Sequence, residues 1–404
     1  MYNIYTMLLT EIHIVKSSKE LDDITFKCKN LYNKANYIIR QEFIENGKYI
    51  SKFDMFNNLK TDPDYMAMPA RVSRGVLRTL DGNWKGFFES IKDWKKNKSK
   101  YKGRPNLPNY LPKNGKFNAI FTDLSVLKPS KKNSNIGLSG LKLRINTNIE
   151  YNRIKEVNIK PLKSGKYSIS VIYEFKEESR KVNNKNYCSI DLGLNNLMTL
   201  TSNKRGVVPL VINGRPLKSI NQFYNKERSK LQSKLPKDVY TSKRIDKLTE
   251  KRNNKIKDYL NKSSKFLIDW CLENELNTIV IGYNEYWKTE INIGKRNNQN
   301  FINIPFQKLV WMIEYKARKI GLNVLKHEES YTSKCSFLDL EDVKKHNNYL
   351  GKRIKRGLFK AATGKLINSD VNGSLNILRK AVPNIFVDGI EDVAVHPKRI
   401  KSFK

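Results

Sequence analysis

Two short segments, far apart in the chain, each place one aspartate where a metal ion could reach it. Residues 189–200 read SIDLGLNNLMTL and set Asp191 near the end of an apolar strand, just before a glycine. Residues 368–378 read NSDVNGSLNIL and set Asp370 at the start of a helix. Two aspartates brought together offer the hard oxygen ligands that Mg²⁺ prefers. Two such ions about 3.5–4 Å apart cleave phosphodiester bonds, so the pair predicts a nuclease.

Each aspartate alone has a simpler interpretation. Asp191 could be a turn residue whose carboxylate accepts from backbone amides, and Asp370 could be an ordinary helix N-cap. The charge of the chain favours the nuclease interpretation for the two together. Lys and Arg number 77 and Asp and Glu 39, a net charge of +38, which makes nucleic acid the first partner to consider. A basic binding protein without catalysis remains the alternative.

The cysteines predict a reducing compartment and no zinc. There are four of them, none in a C-x-x-C pair, and this argues for buried thiols: Cys28, Cys188, Cys271 and Cys335. The first fifteen residues lack the apolar run of a signal peptide, and the most apolar internal stretch, residues 266–272, is too short to span a bilayer. We therefore expect a cytoplasmic protein with no membrane partner.

The predicted secondary structure changes four times along the chain. A strand is predicted at residues 8–15, a mainly helical block at 17–98, a basic Pro-rich connector at 102–110 and further strands over 116–176. Beyond a polar linker, the pattern becomes three strands, then helix, strand, helix, strand, helix, which is the order of an RNase H-like domain. We predict strands at 187–192, 196–202, 207–213, 278–281 and 323–328, and helices at 219–260 with a break near Pro236, 263–275, 305–320 and from about Asp370.

The two aspartate segments resemble the first and last motifs of the RuvC nuclease in TnpB/OrfB proteins of bacterial insertion sequences, relatives of the type V CRISPR effectors. The connector KGRPNLPNY at 102–110 matches K-G-R-P-x-L-P-x-Y of that family, and residues 69–94 and 221–274 resemble its helical region and basic hairpin. The resemblance implies a transposon-derived, RNA-guided DNA endonuclease. Its partners would be a guide RNA and double-stranded target DNA. Two Mg²⁺ ions are expected, with Mn²⁺ able to substitute, and a monomer with RNA is favoured.

One departure from the family pattern concerns the third acidic residue. The family usually places a catalytic glutamate just after the fourth strand, where this chain has Gly282. Either the site is dead, or a carboxylate reaches in from the next strand, about 4.8 Å away. Glu328 and Glu329 end that strand, and only one of them is expected to point inward because successive residues point to opposite faces. We favour Glu329 because it lies close to the loop. Glu285 is a weaker candidate.

The second departure is a missing zinc ribbon. Of its usual two cysteine pairs only Cys335 remains, so we predict no structural zinc and an insert held by apolar packing of Leu338, Leu340, Tyr349, Leu350, Leu358 and Phe359. The nucleic-acid contacts are expected from basic, aromatic and amide side chains, although a charge run is often only a solvated face. The candidates are Lys102, Arg104, Tyr110, Lys226, Arg228, Arg244, Lys251, Arg252, Lys295, Arg296, Asn297, Asn298, Gln299, Arg353 and Arg356.

These inferences combine into an α/β fold with added β and α parts. An RNase H-like (RuvC) domain would follow a β-barrel-like wedge domain that carries a helical recognition lobe. The expected boundaries are 1–15 and 116–178 for the wedge, 16–115 for the lobe, 179–330 and 366–383 for the nuclease, 331–365 for the insert and 384–404 for a disordered basic tail. Two other functions also fit: a catalytically inactive guided repressor, and a resolvase or transposase that needs no RNA.

Overall fold

The computed structural model describes residues 6–129, 135–176, 185–284, 304–387, 389–390, 393, 395–401 and 403. Contacts divide the chain into an N-terminal unit, Met1–Lys176, and a C-terminal unit, Glu177–Lys404, which are treated separately. Within the described ranges, no helix is both long enough and apolar enough to cross a membrane.

The N-terminal unit contains four helices among its described residues. They are α1 (Lys19–Asn46), α2 (Lys52–Leu59), α3 (Pro63–Met66) and α4 (Ala70–Lys96). Helix α1 begins at Ser18, whose hydroxyl accepts from the amide of Leu21, and ends at Gly47 in the left-handed conformation. Both features are common helix stop and start signals. Trp84 of α4 is fully buried between these helices and donates its indole N–H to Asn36.

The strands of this unit form two separate sheets. The larger one has the order β1-β7-β6-β2, and β1 pairs with β7 along its whole length. The first strand therefore joins strands that follow the helical segment in sequence. Open sheets replace the barrel-like wedge that we expected. The strands are β1 (Thr6–Lys16), β2 (Ala119–Thr122), β3 (Val126–Leu127), β4 (Ile136–Leu138), β5 (Leu141–Ile145), β6 (Ile154–Pro161) and β7 (Lys166–Lys176).

The C-terminal unit is built on a six-stranded sheet of order β12-β11-β8-β9-β10-β16. The strands are β8 (Tyr187–Leu192), β9 (Asn196–Ser202), β10 (Leu210–Asn213), β11 (Thr278–Gly282), β12 (Asn323–His327) and β16 (Lys398–Ile400). Strands β8, β9 and β10 are antiparallel, whereas β11 is parallel to both β8 and β12. The expectation of a disordered tail was wrong at residues 398–400, because β16 pairs in parallel with β10.

In the described part of this unit, four helices accompany the sheet. They are α5 (Arg215–Gln232), α6 (Lys243–Glu273), α7 (Phe306–Lys319) and α8 (Ser369–Ala381). The two helices predicted at 219–260 and 263–275 are divided differently, since α6 continues without a break through Ser263. The hydroxyl of Ser263 donates to the carbonyl of Tyr259 one turn earlier, which lets a polar residue sit inside the helix.

Alternate residues of the central strands face different helices. Ile190 and Leu192 of β8 belong to the apolar core that α6 and α7 cover. Ser189 lies on the opposite face, where its hydroxyl donates to the carbonyl of Ser374 in α8. Asp191 shares this face because strand side chains alternate. The α8 face of the sheet therefore holds the candidate site.

A three-stranded insert leads directly into α8. Its strands are β13 (Lys352–Lys355), β14 (Leu358–Lys360) and β15 (Leu366–Asn368). Phe337 and Phe359 are buried and form a small core with α8. The expected packing role is wrong for Leu340 and Leu350, which are 51% and 55% exposed.

Candidate active site

Asp191 lies opposite Thr199 of β9, close to the end of β8. Its carboxylate sits against α8, so that a Cβ at Gly373 would stand only 3.0 Å from Asp191 Oδ2. The pKa of Asp191 is raised well above its usual value, first by burial and then by the negative charges of Glu329 and Asp370, while Arg353 opposes the shift. The negative charges of Glu329 and Asp370 therefore act on the buried Asp191 carboxyl and disfavour its ionised form.

Asp370 stands in the first turn of α8 but does not cap it. The Asn368 side chain caps the helix by accepting from the amides of Asp370 and Val371. The simpler interpretation of Asp370 as an N-cap is therefore wrong, and its carboxylate is available to the site. Asn196 of β9 donates its amide to Asp370 Oδ2, and the Arg353 guanidinium lies 3.7 Å from Asp370 Oδ1.

Glu329 occupies the space beside Gly282. A Cβ at position 282 would lie 2.8 Å from Glu329 Oε2 and 2.5 Å from Cδ1 of Ile377 in α8. Strand β12 pairs Gly282 with His327, so Glu329 enters from the adjacent strand end, two residues further on. The carboxylate from the neighbouring strand thus takes the room that a side chain at position 282 would fill.

Glu328 points elsewhere. Its carboxylate pairs with Lys380 at 2.5 Å and accepts from Ser330, at 49% side-chain exposure. Burial alone would raise the pKa of Glu328, but the hydrogen bonds from Lys380 and Ser330 outweigh it and lower that pKa. The structure thus brings Glu329 to Asp191 and leaves Glu328 in an ion pair at the surface. The weaker candidate Glu285 lies outside the described residues.

A cavity of about 380 Å³ opens in front of Asp191 and Asp370. Among the residues that the structure describes, four arginines line it: Arg215, Arg353, Arg356 and Arg399. Arg353 and Arg356 come from the insert and were predicted. Arg215 and Arg399 were not, since Arg215 opens a helix and Arg399 falls in the segment expected to be disordered. The cavity is lined by the carboxylates of Asp191 and Asp370 and by these arginines. This arrangement is suited to a phosphodiester held near a bound cation.

The donor chemistry of this pocket fits Mg²⁺. Three carboxylates and an amide meet the preference of this ion for oxygen ligands. The Oδ1 atom of Asn196 is buried and has no hydrogen-bond partner, although the same side chain holds Asp370. Among the described residues, no group of three or more acidic, histidine or cysteine side chains is placed so that it could hold a metal ion as it stands.

Glu341 ties the insert together where the family pattern has zinc ligands. This buried carboxylate accepts from the amide of Ser336 at 2.7 Å and from the amide of Leu350 at 2.9 Å. Asn376 of α8 donates to the carbonyls of Thr332 and Cys335. The Asn376 hydrogen bonds fasten residues 332 and 335 of the insert to α8, whereas the bond from Leu350 to Glu341 holds the insert together three residues before Arg353.

The other predicted nucleic-acid residues are distributed over both units. Six of them are exposed: Lys102, Arg104, Lys226, Arg228, Arg244 and Lys251. Tyr110 is 45% exposed and stacks with Arg40, whose guanidinium lies 4.9 Å from the ring centre. Residues 295–299, the predicted contact loop of Lys295, Arg296, Asn297, Asn298 and Gln299, lie outside the described residues.

Arg252 is a correction to the predicted basic surface. Its Nε donates to Asn221 at 2.8 Å, and the guanidinium lies 5.5 Å from the Tyr224 ring centre. Burial lowers the pKa of Arg252, since burial disfavours the charged form. This arginine therefore joins α6 to α5, a role that a charge count along the hairpin could not reveal.

Comparison with known proteins identifies related sequences and folds. Residues 170–288 match the OrfB_IS605 family, described as a probable transposase, and residues 306–377 match the Cas12f1-like TNB domain. The chain is 30% identical over 169 residues to the TnpB-like protein MJ0751 of Methanocaldococcus jannaschii, covering 41% of this chain and 60% of that protein. It is 35% identical over 100 residues to the TnpB-like protein ORF457 of Acidianus two-tailed virus, covering 24% and 20%.

A cryo-EM structure of a Cas12f1–sgRNA–target DNA complex superposes with a TM-score of 0.55 at 15% identity. The superposition covers 90% of this chain and 82% of that protein. At this identity the similarity shows a common fold. The two sequence relatives are matched over less than two thirds of their own lengths.

Proposed function

We propose that this chain, a member of the TnpB/OrfB family, is an RNA-guided DNA endonuclease whose active site is formed by Asp191, Glu329 and Asp370. The observation that carries the proposal is the position of Glu329 Oε2, 2.8 Å from where a Cβ of residue 282 would stand. The glutamate absent at Gly282 would thereby be replaced from the adjacent strand, next to the two carboxylates, Asp191 and Asp370, that line the cavity.

The residues of the pocket have separable roles. Asp191, Glu329 and Asp370 would hold Mg²⁺, and Asn196 orients Asp370 through its amide. Bound there, Mg²⁺ would neutralise charge on the scissile phosphate and lower the pKa of water. The arginines of the cavity wall bind the DNA backbone, and Arg353 also offsets the negative charge around Asp191. Their planar guanidinium groups match phosphate oxygens in pairs.

Guide RNA would supply sequence recognition. In related systems base pairing reads the target, and the protein reads only a short flanking motif. The net charge of +38 is suited to holding two nucleic acids at once. The Cas12f1 structure with the same fold is a complex with a single guide RNA and target DNA, which supports these partners by analogy.

The test begins with the nucleic acid that co-purifies with the chain, which should be a discrete RNA. Wild-type complex is then mixed with a plasmid matched to that RNA, with and without Mg²⁺. We expect Mg²⁺-dependent cleavage, loss of cleavage in Asp191→Ala and Glu329→Gln, and retention in Glu328→Gln. Target binding without cutting by wild type would instead identify an inactive guided DNA-binding protein. Cutting by RNA-free protein that depends on DNA structure would identify a resolvase.

A further inference from the structure

A second groove lies on the other side of the nuclease sheet, along α7. Its volume is about 310 Å³, and its lining includes Tyr283, Gln307, Lys308, Trp311 and Lys326. Trp311 is 60% exposed, an unusual state for so large an apolar side chain. The ring centre of Tyr315 lies 5.0 Å from that of Trp311, with 53° between the ring planes. The groove therefore presents an aromatic side chain to solvent, in contact with a second ring.

The lysine side chains around this groove favour the binding of an anion. Burial lowers the pKa of Lys308, and the positive charge of Lys257 on α6 lowers it further. Two ammonium groups are thus held close enough to repel each other. A third, Lys326, lies 5.8 Å from the Tyr283 ring centre and pairs with Glu314 at 2.9 Å. A phosphate beside Lys308 would relieve this repulsion.

We propose that this groove binds an unpaired nucleotide of RNA, with its base stacked on Trp311 and its phosphate beside Lys308. Aromatic faces next to cationic side chains are the usual recognition elements for unpaired bases, whereas a duplex keeps its base faces covered. Gln307 adds an amide that can both donate and accept at a base edge. The inference rests on the proposed function for its choice of RNA as partner.

The position of the groove favours RNA over the DNA that is cut. Lys326 pairs with Glu314 of α7, so its side chain is on the α7 face of the sheet. Asp191 and position 282 face α8 instead. A strand held in the groove is therefore separated from the carboxylates by the sheet itself. The nucleic acid that binds there is one that the enzyme does not cut, as a guide RNA must be.

The test measures binding of a fluorescent, unstructured 12-nucleotide RNA to full-length, RNA-free protein without Mg²⁺. We expect Trp311→Ala to weaken binding about 10-fold and Trp311→Phe to retain most of the affinity, since stacking on one aromatic ring contributes about that much. Lys308→Gln should lower the log–log salt slope by about 0.7, one phosphate contact on a single strand. Leu124→Ala, which removes a 70% exposed apolar side chain in the N-terminal unit, should change nothing.

The same RNA carrying 4-thiouridine gives an independent readout, because photo-crosslinks should map to residues 306–315. Unchanged RNA affinity in Trp311→Ala, or crosslinks that avoid this helix, would overturn the proposal. A loss seen only with the matching single-stranded DNA would overturn the choice of RNA. Plasmid cleavage is assayed separately with Mg²⁺. A wild-type protein that cannot cut the plasmid would count against the proposed function. The RNA affinities of the variants would still decide whether this groove binds RNA.

Discussion

The two faces of the nuclease sheet are made by the same strands but are held in different ways. Toward α6 and α7, residues such as Ile190, Leu200 and Ile281 form a continuous apolar core. Toward α8, Ser189 and Thr201 stand at the corresponding alternate positions. The face toward α6 and α7 is stabilised mainly by removal of hydrocarbon from water. The face toward α8 combines apolar packing of Val280 against Ile377 and Leu378 with hydrogen bonds between buried hydroxyls.

The hydroxyl face explains how carboxylates can lie so near a helix. Ser189 Oγ lies 2.6 Å from Thr201 Oγ1, and Ser374 Oγ lies 2.9 Å from Thr201 Oγ1. Ser374 also donates to the carbonyls of Ser189 and Thr199. Because each hydroxyl has partners, α8 can pack closely on a polar surface and carry Asp370 toward Asp191. The α8 face therefore depends on matched polar contacts in addition to apolar packing, whereas the α6 and α7 face is packed mainly by apolar side chains.

The largest loss of cleavage is expected from a substitution at the site itself, and a neighbouring glutamate provides the control. Glu329→Gln removes one of three negative groups, and we expect cleavage to fall by about 100-fold or more because the charge that holds the metal is reduced. Glu328→Gln makes the same chemical change one residue earlier, in an ion pair with Lys380, and should cost less than about threefold. Single-turnover cleavage of a matched plasmid measures both. Equal losses in the two variants would remove the distinction between them.

Substitutions on the two faces should lower the free energy of unfolding by different amounts. Leu267 of α6 is fully buried in the apolar core, so Leu267→Ala should lower the free energy of unfolding of the C-terminal unit by about 3 kcal/mol. Ser374→Ala deletes only a hydroxyl but leaves Ser189 and Thr201 short of a partner, and it should cost about 1–2 kcal/mol. Urea denaturation at neutral pH gives both values. An unchanged free energy of unfolding in Ser374→Ala would show that these hydrogen bonds do not stabilise the packing of α8 on the sheet.

Gly282→Ala tests whether Glu329 occupies the space that its position indicates. The added Cβ would meet Ile377 at 2.5 Å and Glu329 Oε2 at 2.8 Å, so one of them must move. We expect about 1–2 kcal/mol of destabilisation from overpacking and a loss of cleavage of about 10-fold. Gly86→Ala is the control, since a Cβ at that helical position meets nothing within 4 Å. Full activity in Gly282→Ala would contradict the replacement of one carboxylate by the other.

The smallest effect concerns pH on the α7 face. Burial, followed by the charge of Lys265, lowers the pKa of Lys316 to about 8, although Asp269 opposes the shift. Between pH 8 and 10.5 the unfolded chain therefore binds more protons at this lysine than the folded one, so folding stability should rise with pH across that window. Allowing for solvent screening, the gain should be about 1 kcal/mol. Thermal unfolding of wild type and Lys316→Met measures it, and parallel pH profiles would contradict it.

Local sequence signals predict the acidic residues of the site better than they predict all the arginines that line its cavity. Asp191 and Asp370 stand next to a turn and a helix start. The alternation of strand residues predicts that only one of Glu328 and Glu329 points inward, and closeness to the loop favours Glu329. Arg399 carried no such signal. Strand β16 has only three residues, and it exists because it pairs with β10, a contact between distant parts of the chain.

Two other outcomes differ from what the local pattern indicates. The predicted boundary between helices at 260 and 263 is wrong, because α6 runs through the buried Ser263, whose hydroxyl bonds to the carbonyl of Tyr259 one turn earlier. Arg252 was expected to contact phosphate because the chain around it is basic, and its guanidinium lies beside the Tyr224 ring. The position of Arg252 depends on a neighbour from another helix, about which the local pattern contains no information.

The strand order also has a consequence for how the protein is made. Strands β8, β9 and β10 are consecutive antiparallel neighbours and can pair as soon as they leave the ribosome. Strand β11 must wait for the long helical hairpin, and Asp370 arrives only with α8, after all the sheet strands except β16. Contacts between such distant segments form slowly. We expect the nascent chain to complete its apolar side first, so that the mutually repelling acids meet only when a folded support already exists to hold them.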